Sequence, residues 1–564
     1  MSVTMKRKIA DSRFGFAVIT NLITVITSIL LFHPFWEECD DINMALLAEG
    51  AYGYREPHLL YSNIIYGRIL CALSAIMPTV RWHAVCMYLF TFIVSTAFVY
   101  ILAKDKKGRI LSLIFLAAGF YETYVSFQFS KIATVIAILA YLVLFEMVKG
   151  GAAGKESRVL TFAAFICMFY AIILRYESFL LATLVAGAYG VCLVAKDIFC
   201  KEFSHKLRSY CRYFIPVFVM FFICYGVHLY SYSSGGWKDY MDHFNSTTKL
   251  VDYHFNSLLY DLHGDELEAL GVSENDAMML ITYQGGANFP SFELTEQMIA
   301  LDKVSVNTDF IKAWIANICS ESFTMNSLII GLIMLIGLFA AVVTAESHRA
   351  VYVGGILLQV LLAAAVLFYY QYSSRWSHRI VYALLLAQFT LLIYVISTLG
   401  SPDPAGLARP VPSVILSLLA FVIIGQWFGN AFSYNEYKRD SYDYNQLIAH
   451  MEDNKDCLFV SDVFTMLDYA KYDVFDAAKQ GQFDNCLSTD SVTMVGTPVN
   501  QMIAAGFGYN DPLEALTARD DRVILIDAIS PETELTYCRE HGDGAEYTLE
   551  EIDRSGGITL YRIR

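Results

Sequence analysis

Charge is scarce in this chain: Asp, Glu, Lys and Arg make up only 17% of its 564 residues, against roughly 25% in soluble domains. That shortage excludes an ordinary soluble globule. The familiar nucleotide and hydrolase signatures are missing too. There is no Walker A loop, no GxGxxG after a strand, no GxSxG elbow and no HExxH, so nucleotide-driven transport and hydrolysis lack their marks. The cysteines form no CxxC pair. Cys71, Cys86, Cys167, Cys192 and Cys224 lie in apolar runs, and Cys457, Cys486 and Cys538 are irregularly spaced, so neither a zinc site nor a disulfide framework is indicated. No internal repeat or low-complexity segment is visible.

Apolar residues dominate instead, at 56% hydrophobic and 15% aromatic, with a mean hydropathy of +0.45. Many runs reach about 18–22 residues, enough to cross a hydrocarbon core of roughly 30 Å as helix. Backbone groups in lipid must bond internally, so the fold class is a polytopic helical bundle. The net charge of −15 is concentrated at one end: residues 435–564 hold 25 acidic and 11 basic side chains. Such a tail is a poor partner for nucleic acid or anionic lipid.

Lys6, Arg7, Lys8 and Arg13 precede a first span at about 14–33 that no cleavage site follows, so an uncleaved helix with a cytoplasmic N-terminus is expected. A first outer loop, 35–81, follows. The second span, 82–103, ends in the basic cluster 104–109. Segment 58–78 therefore cannot cross and reads as an interfacial or re-entrant amphipathic helix. Further spans are expected at 110–127, 131–148, 158–174, 178–195, 213–230, 326–344, 350–370, 379–398 and 412–430, about eleven crossings in all. A large, mostly polar outer loop occupies 231–325. The membrane domain thus covers 1–434. The tail, 435–564, reads as a small extracytoplasmic α/β unit, with strands near 457–461, 522–527 and 557–562 and helices at 443–452 and 532–540.

The most informative residues are Asp40 and Asp41, in Phe35-Trp36-Glu37-Glu38-Cys39-Asp40-Asp41-Ile42-Asn43. Carboxylates at a membrane face are costly to desolvate and point to function. A helix starting at Ile42 would make one of them a simple N-cap. A carboxylate fixed there is equally suited to general-base work, and with successive helix residues about 100° apart only one of the pair should enter a cleft. The doublet could share a divalent cation, although no His or further carboxylate stands at ligand spacing; no other cofactor is indicated. Arg375, His378 and Arg379 fall on the outer side, against the usual bias, and share a helical face. A guanidinium pair suits phosphate or pyrophosphate, with headgroup contact as the plainer alternative. Arg175 and Glu177 occupy an outward break and can pair with each other; Glu122, Gln128 and Lys131 lie in an outer hairpin. In the large loop, Asn245, Lys249, Asp252 and Tyr253 recur at helical spacing and could contact a sugar or its phosphate, unless they form only a solvated face. Asn245-Ser246-Thr247 also matches a weak sequon.

With these residues in place, the layout resembles the GT-C superfamily of polytopic glycosyltransferases, which use polyprenyl-phosphate-linked sugars. More narrowly, Asp40-Asp41-Ile42-Asn43-Met44, Gly50-Ala51-Tyr52-Gly53, Pro57-His58-Leu59, Asn63-Ile64 and Gly67 look like bacterial membrane proteins associated with surface polysaccharide synthesis. The resemblance implies an inverting transfer from a polyprenyl-phosphate donor to a cell-surface glycan or lipid-linked acceptor at the outer face of the bacterial plasma membrane. It assigns the catalytic base to Asp40 or Asp41, and by position it places the lipid phosphate on Arg375 and Arg379. His378, Arg175, Glu177, His58, Lys131, Asn245 and Lys249 complete the expected substrate-binding set. Rival readings are a surface-polysaccharide polymerase or ligase, and a lipid-linked-sugar flippase or transporter. The second would call for inverted repeats and Gly- or Pro-broken helices, which the spans lack. A third is a non-catalytic envelope protein whose acidic tail binds partners.

Overall fold

The computed structural model describes residues 12–151, 153–254, 259–286, 289–301, 306–322, 328–329, 331–333, 349–399, 418–419, 421–426, 429, 444–468 and 472–564. Among these, eight helices are long and apolar enough to cross a membrane: Arg13–Phe32, Trp82–Leu102, Phe129–Val148, Gly154–Leu174, Tyr176–Phe199, Phe203–Ser231, Val351–Tyr372 and His378–Thr398. The chain is a polytopic helical membrane protein with a small C-terminal sheet unit. The expected spans at 326–344 and 412–430 lie largely outside the described residues, as does the expected domain boundary at 434.

One expected span has a different form. Residues 110–127 are a 13-residue helix, Lys106–Ala118, then a five-residue helix, Phe120–Tyr124, and a short strand, β2, Ser126–Phe127. β2 pairs in parallel with β1, Phe35–Trp36. The chain therefore returns here to the end of the bundle that carries residues 35–41, the site end. At the opposite end the basic residues gather: Lys104 pairs with Glu146, Lys107 donates to the Leu399 carbonyl at 2.7 Å, and Lys206 pairs with Asp197 at 2.8 Å.

The Phe129–Val148 helix is the hub. It is apolar along most of its length and buried, as such a helix must be, and it packs against the Trp82, Gly154, Tyr176 and His378 helices. Segment 58–78 does not span: it holds the Ile64–Ile76 helix, about 20 Å long at 1.5 Å per residue. Gly67 explains part of the Pro57–Gly67 motif. A Cβ there would stand 1.9 Å from the Pro57 carbonyl oxygen, so only glycine permits this approach. The large loop folds as the helices Gly236–Thr248, Leu259–Ala269, Glu274–Ile281, Phe292–Leu301 and Thr308–Ser322.

The tail is a five-stranded sheet ordered β4-β3-β5-β7-β6, from β3 Leu458–Ser461, β4 Cys486–Ser488, β5 Val523–Ile526, β6 Leu549–Ser555 and β7 Ile558–Ile563. β4, β3 and β5 are parallel; the β6–β7 hairpin adds antiparallel strands. β3 and β5 are buried at every position, as expected of parallel strands covered on both faces. The tail docks on the site end. Arg81 and Glu49 form a buried two-point ion pair at 3.0 and 3.3 Å. Arg81 also donates to the Asp473 carbonyl at 2.9 Å, and Glu49 accepts from the Ala478 amide at 2.7 Å. Backbone bonds from Gly481 to Gly50 and from Phe483 to Ala51, 2.9 and 2.7 Å, extend the seam.

Candidate active site

The acidic doublet sits on the Cys39–Glu49 helix. Its N-cap is Glu38, in extended conformation, so both aspartates lie in the first turn and neither is the cap. This corrects the expected start at Ile42: the carboxylates complement the positive end of the helix from within it. Gly50, at φ 84°, ends the helix, its amide bonding the Leu46 and Leu47 carbonyls in a left-handed C-terminal cap.

The two aspartates diverge. Asp41 is fully buried. Its Oδ1 lies 2.9 Å from His83 Nε2, and both its oxygens accept from the Phe129 amide, at 3.2 and 3.3 Å, at the positive start of the hub helix. His83 Nδ1 lies 2.7 Å from the Tyr66 hydroxyl, and Trp36 stacks on the imidazole at 5.5 Å. With Nε2 donating to the carboxylate, Nδ1 is left to accept from Tyr66. Burial pushes the Asp41 carboxyl up, while His83 and Phe129 pull it back. Asp41 thus ties the short acidic helix to two spans.

Asp40 turns the other way and meets Arg379, whose Nη1 is 2.7 Å from Oδ2. Glu38 lies 3.8 Å from the same nitrogen. The side chains keep 11% exposure for Asp40, 19% for Arg379 and 40% for Glu38, so solvent reaches the cluster. Burial pushes Glu38 up to about 7; Arg379 opposes the shift, and Asp40 and Glu37 add to it. Arg375 does not share a helical face with His378 and Arg379 as expected, because it lies in the linker before the His378–Thr398 helix; there it pairs with Asp252 at 2.8 Å and lies over the Tyr253 ring at 4.7 Å. The Tyr283 hydroxyl donates to Asp252 at 3.1 Å. His378 stacks against Tyr382 at 6.2 Å. One member of the doublet, Asp40, and one of the arginines, Arg379, 339 residues apart, are therefore in direct contact, while Asp41 and Arg375 are held by other partners.

The other expected site residues divide. Arg175 pairs with Glu177 at 3.1 Å, donates to the Tyr61 carbonyl at 3.1 Å and lies over the Tyr61 and Phe129 rings, at the rim. Lys131 departs from its expected place there. It is fully buried between Glu37 and Glu122, because a lysine on the hub helix can be enclosed only when carboxylates neutralise it. His58 departs likewise: it is held by Glu56 at 2.5 Å and Ser231 at 3.0 Å and stacked on Trp237 at 4.5 Å, so it joins two segments. Asn245 and Lys249 lie on a separate polar groove of the large loop.

Sequence reading did not single out Glu38 or the tail residue Asp490. Asp490 is buried and caps the Val492 and Thr493 amides at 2.9 and 3.1 Å. The Thr493 hydroxyl donates to Asp490 and accepts from Asn43 Nδ2 at 3.2 Å; the Tyr240 hydroxyl donates to the Val492 carbonyl at 2.9 Å. Burial pushes Asp490 up to about 6, with the Asp40 charge contributing. The tail thus reaches the helix that carries Asp40, a contact no local pattern announces. The doublet does not fit a shared cation: Asp41 is committed to His83 and Phe129, and Asp40 already faces a guanidinium. Among the described residues, the ligand-type groups that converge are Asp276, Glu540 and His541, where the large loop meets the tail; Asp276 there already pairs with His541 at 2.8 Å.

No family model matches the chain, and no curated protein does. Similar solved structures include ArnT from Cupriavidus metallidurans bound to undecaprenyl phosphate and the same protein in the apo state. Each is 12% identical, with 97% of both chains covered, at TM-scores of 0.36 and 0.35. At these TM-scores the likeness carries no argument about chemistry, which must rest on the residues themselves.

Proposed function

We propose that this protein is a membrane glycosyltransferase that moves a sugar from a polyprenyl-phosphate donor to a glycan or lipid-linked acceptor, with chemistry at the site end of the bundle. The observation that carries the reading is the contact of Asp40 with Arg379, with Arg375 four residues earlier in the linker before that helix. A base and a paired set of phosphate-binding cations are what such a transfer needs in one place. The basic residues at the opposite end argue for a cytoplasmic location there, which supports an outer-face position for the site and the tail.

In the proposed reaction the donor phosphate competes for the guanidinium of Arg379, which Asp40 and Glu38 share. Bidentate pairing of Arg with phosphate is strong enough to make that exchange. A carboxylate so released takes the proton of the acceptor hydroxyl as its oxygen attacks the anomeric carbon. The bond to the polyprenyl phosphate breaks, and the arginines stabilise the charge growing on the leaving phosphate. A single in-line displacement of this kind inverts the anomeric centre. Asp40 is the first candidate for base. Glu38 is the second, because a carboxyl held at about 7 is matched to proton transfer near neutral pH.

The test is sugar release from a polyprenyl-phosphate donor in membranes carrying Asp40→Asn or Glu38→Gln. Loss of the base should lower turnover by roughly 10²–10⁴ in one of the two, with insertion unchanged. Wild-type rates in both variants reject the reading.

A further inference from the structure

The large loop carries a groove that this chemistry leaves unused. It measures about 720 Å³, within the range of roughly 300–1,000 Å³ typical of ligand sites. Asp239, Asp242, Asn245, Ser246 and Lys249 line it from the Gly236–Thr248 helix and its continuation, and Glu296 lines it from the Phe292–Leu301 helix. We propose that this groove is the acceptor subsite, and that it takes an uncharged or amino-bearing oligosaccharide rather than an anionic one. This assignment rests on the transferase reading.

Three observations support it. Eight of the ten lining residues carry hydrogen-bonding side chains, and Phe292, on the same groove, is 64% exposed, an apolar surface on which a sugar ring can lie. Second, Ser246 is only 5% exposed, yet its hydroxyl has no hydrogen-bond partner. A buried hydroxyl left unpaired is unfavourable, and turning the Ser246 side chain toward a ligand hydroxyl in the groove would satisfy it. Third, the charges are unbalanced. Three carboxylates face the groove, and its one lysine, Lys249, already lies 3.6 Å from Glu296. His243 does not redress this, since burial holds it below its ordinary value. Carboxylates accept hydrogen bonds from sugar hydroxyls and attract ammonium groups, whereas they repel uronates and phosphates; the discrimination comes from like charge.

Position links the groove to the reaction. The helix lining it runs on through Lys249–His254, where Asp252 holds Arg375. Lys249 and Asp252 are three residues apart, about one turn. On its other flank His243 Nε2 lies 3.3 Å from the Ser491 carbonyl, beside Asp490. An oligosaccharide lying in the groove would have its end directed toward the arginine cluster.

The experiment uses the full chain in nanodiscs and saturation-transfer NMR with three probes: maltotriose, a glucosamine trimer and trigalacturonate. The first two should give saturation, the glucosamine trimer most strongly, and trigalacturonate none. Asp242→Asn, at an exposed position, and Ser246→Val should each weaken binding about tenfold or more. Absence of saturation by every probe, preference for trigalacturonate, or unchanged binding in both variants would overturn the assignment. Oligosaccharide binding by a wild-type protein that consumes no polyprenyl-phosphate sugar would instead sink the transferase reading and leave the groove a glycan-binding site.

Discussion

Replacing Glu49 by Gln should loosen the tail from the membrane domain. Side-chain exposure is 1% for Arg81 and 3% for Glu49, so the pair is fully desolvated. Removing one partner of a buried ion pair costs about 3–5 kcal/mol, because the other charge is left uncompensated. Arginine cannot escape by shedding its proton, so in Glu49→Gln its charge stays buried and unpaired at every pH. At about 1.4 kcal/mol per tenfold, the population with the seam open should rise by roughly a hundredfold to a few thousandfold. Hydrogen exchange reads this directly at the Ala478, Gly481 and Phe483 amides, which bond to Glu49, Gly50 and Ala51. Arg81→Met should behave differently. Burial already pushes Glu49 up, and without its cation the carboxyl can take a proton, so the penalty should shrink on acidification from pH 8 to 5. A rise in exchange of less than tenfold in Glu49→Gln, or the same pH response in both variants, would refute the reasoning.

Two further outcomes are expected. Asp41→Asn should destabilise the fold by about 2–4 kcal/mol rather than act on turnover alone, since it breaks a buried pairing with His83; thermal melting in detergent, set against Asp40→Asn, checks the contrast. In the tail, Asp462 is buried and pushed up to about 7 by burial and the Asp527 charge, and Glu534, fully buried, is raised as well. Both hold protons in the folded state that the unfolded chain gives up above about pH 4. Their stabilisation is thus complete below that pH; for Asp462 it is lost as pH rises through about 7, and for Glu534 as pH rises through its own raised value. The tail should melt lower at pH 8 than at pH 6, and Glu534→Gln should flatten that dependence.

Much of the architecture was legible in the chain itself, because a bilayer leaves a backbone few choices. Apolar runs of the right length had to become spanning helices. Placing the basic cluster 104–109 on one side barred 58–78 from crossing, and a 13-residue helix stands there. Three β-strands of the tail were legible, β3 and β5 as unbroken apolar runs and β7 near 557–562, whereas β4 and β6 were not: one is three residues long, and the other, Leu-Glu-Glu-Ile-Asp-Arg-Ser, is mostly polar. The 110–127 span was drawn too long, since hydropathy does not register where a chain leaves a helix to pair as a strand.

What sequence order could not contain was how charges are shared. That Asp41 would be sealed by His83 while its neighbour met Arg379 follows from helix rotation against two distant spans. The same holds for Lys131 and His58, whose partners come from other segments. Glu38 owes its raised value to enclosure, and Asp490 reaches the site only because the tail folds back on Asn43. Composition and periodicity settled where the chain meets lipid, since that depends on each segment alone. Which ionisable groups face one another depends on long-range packing, and only the tertiary structure decided it.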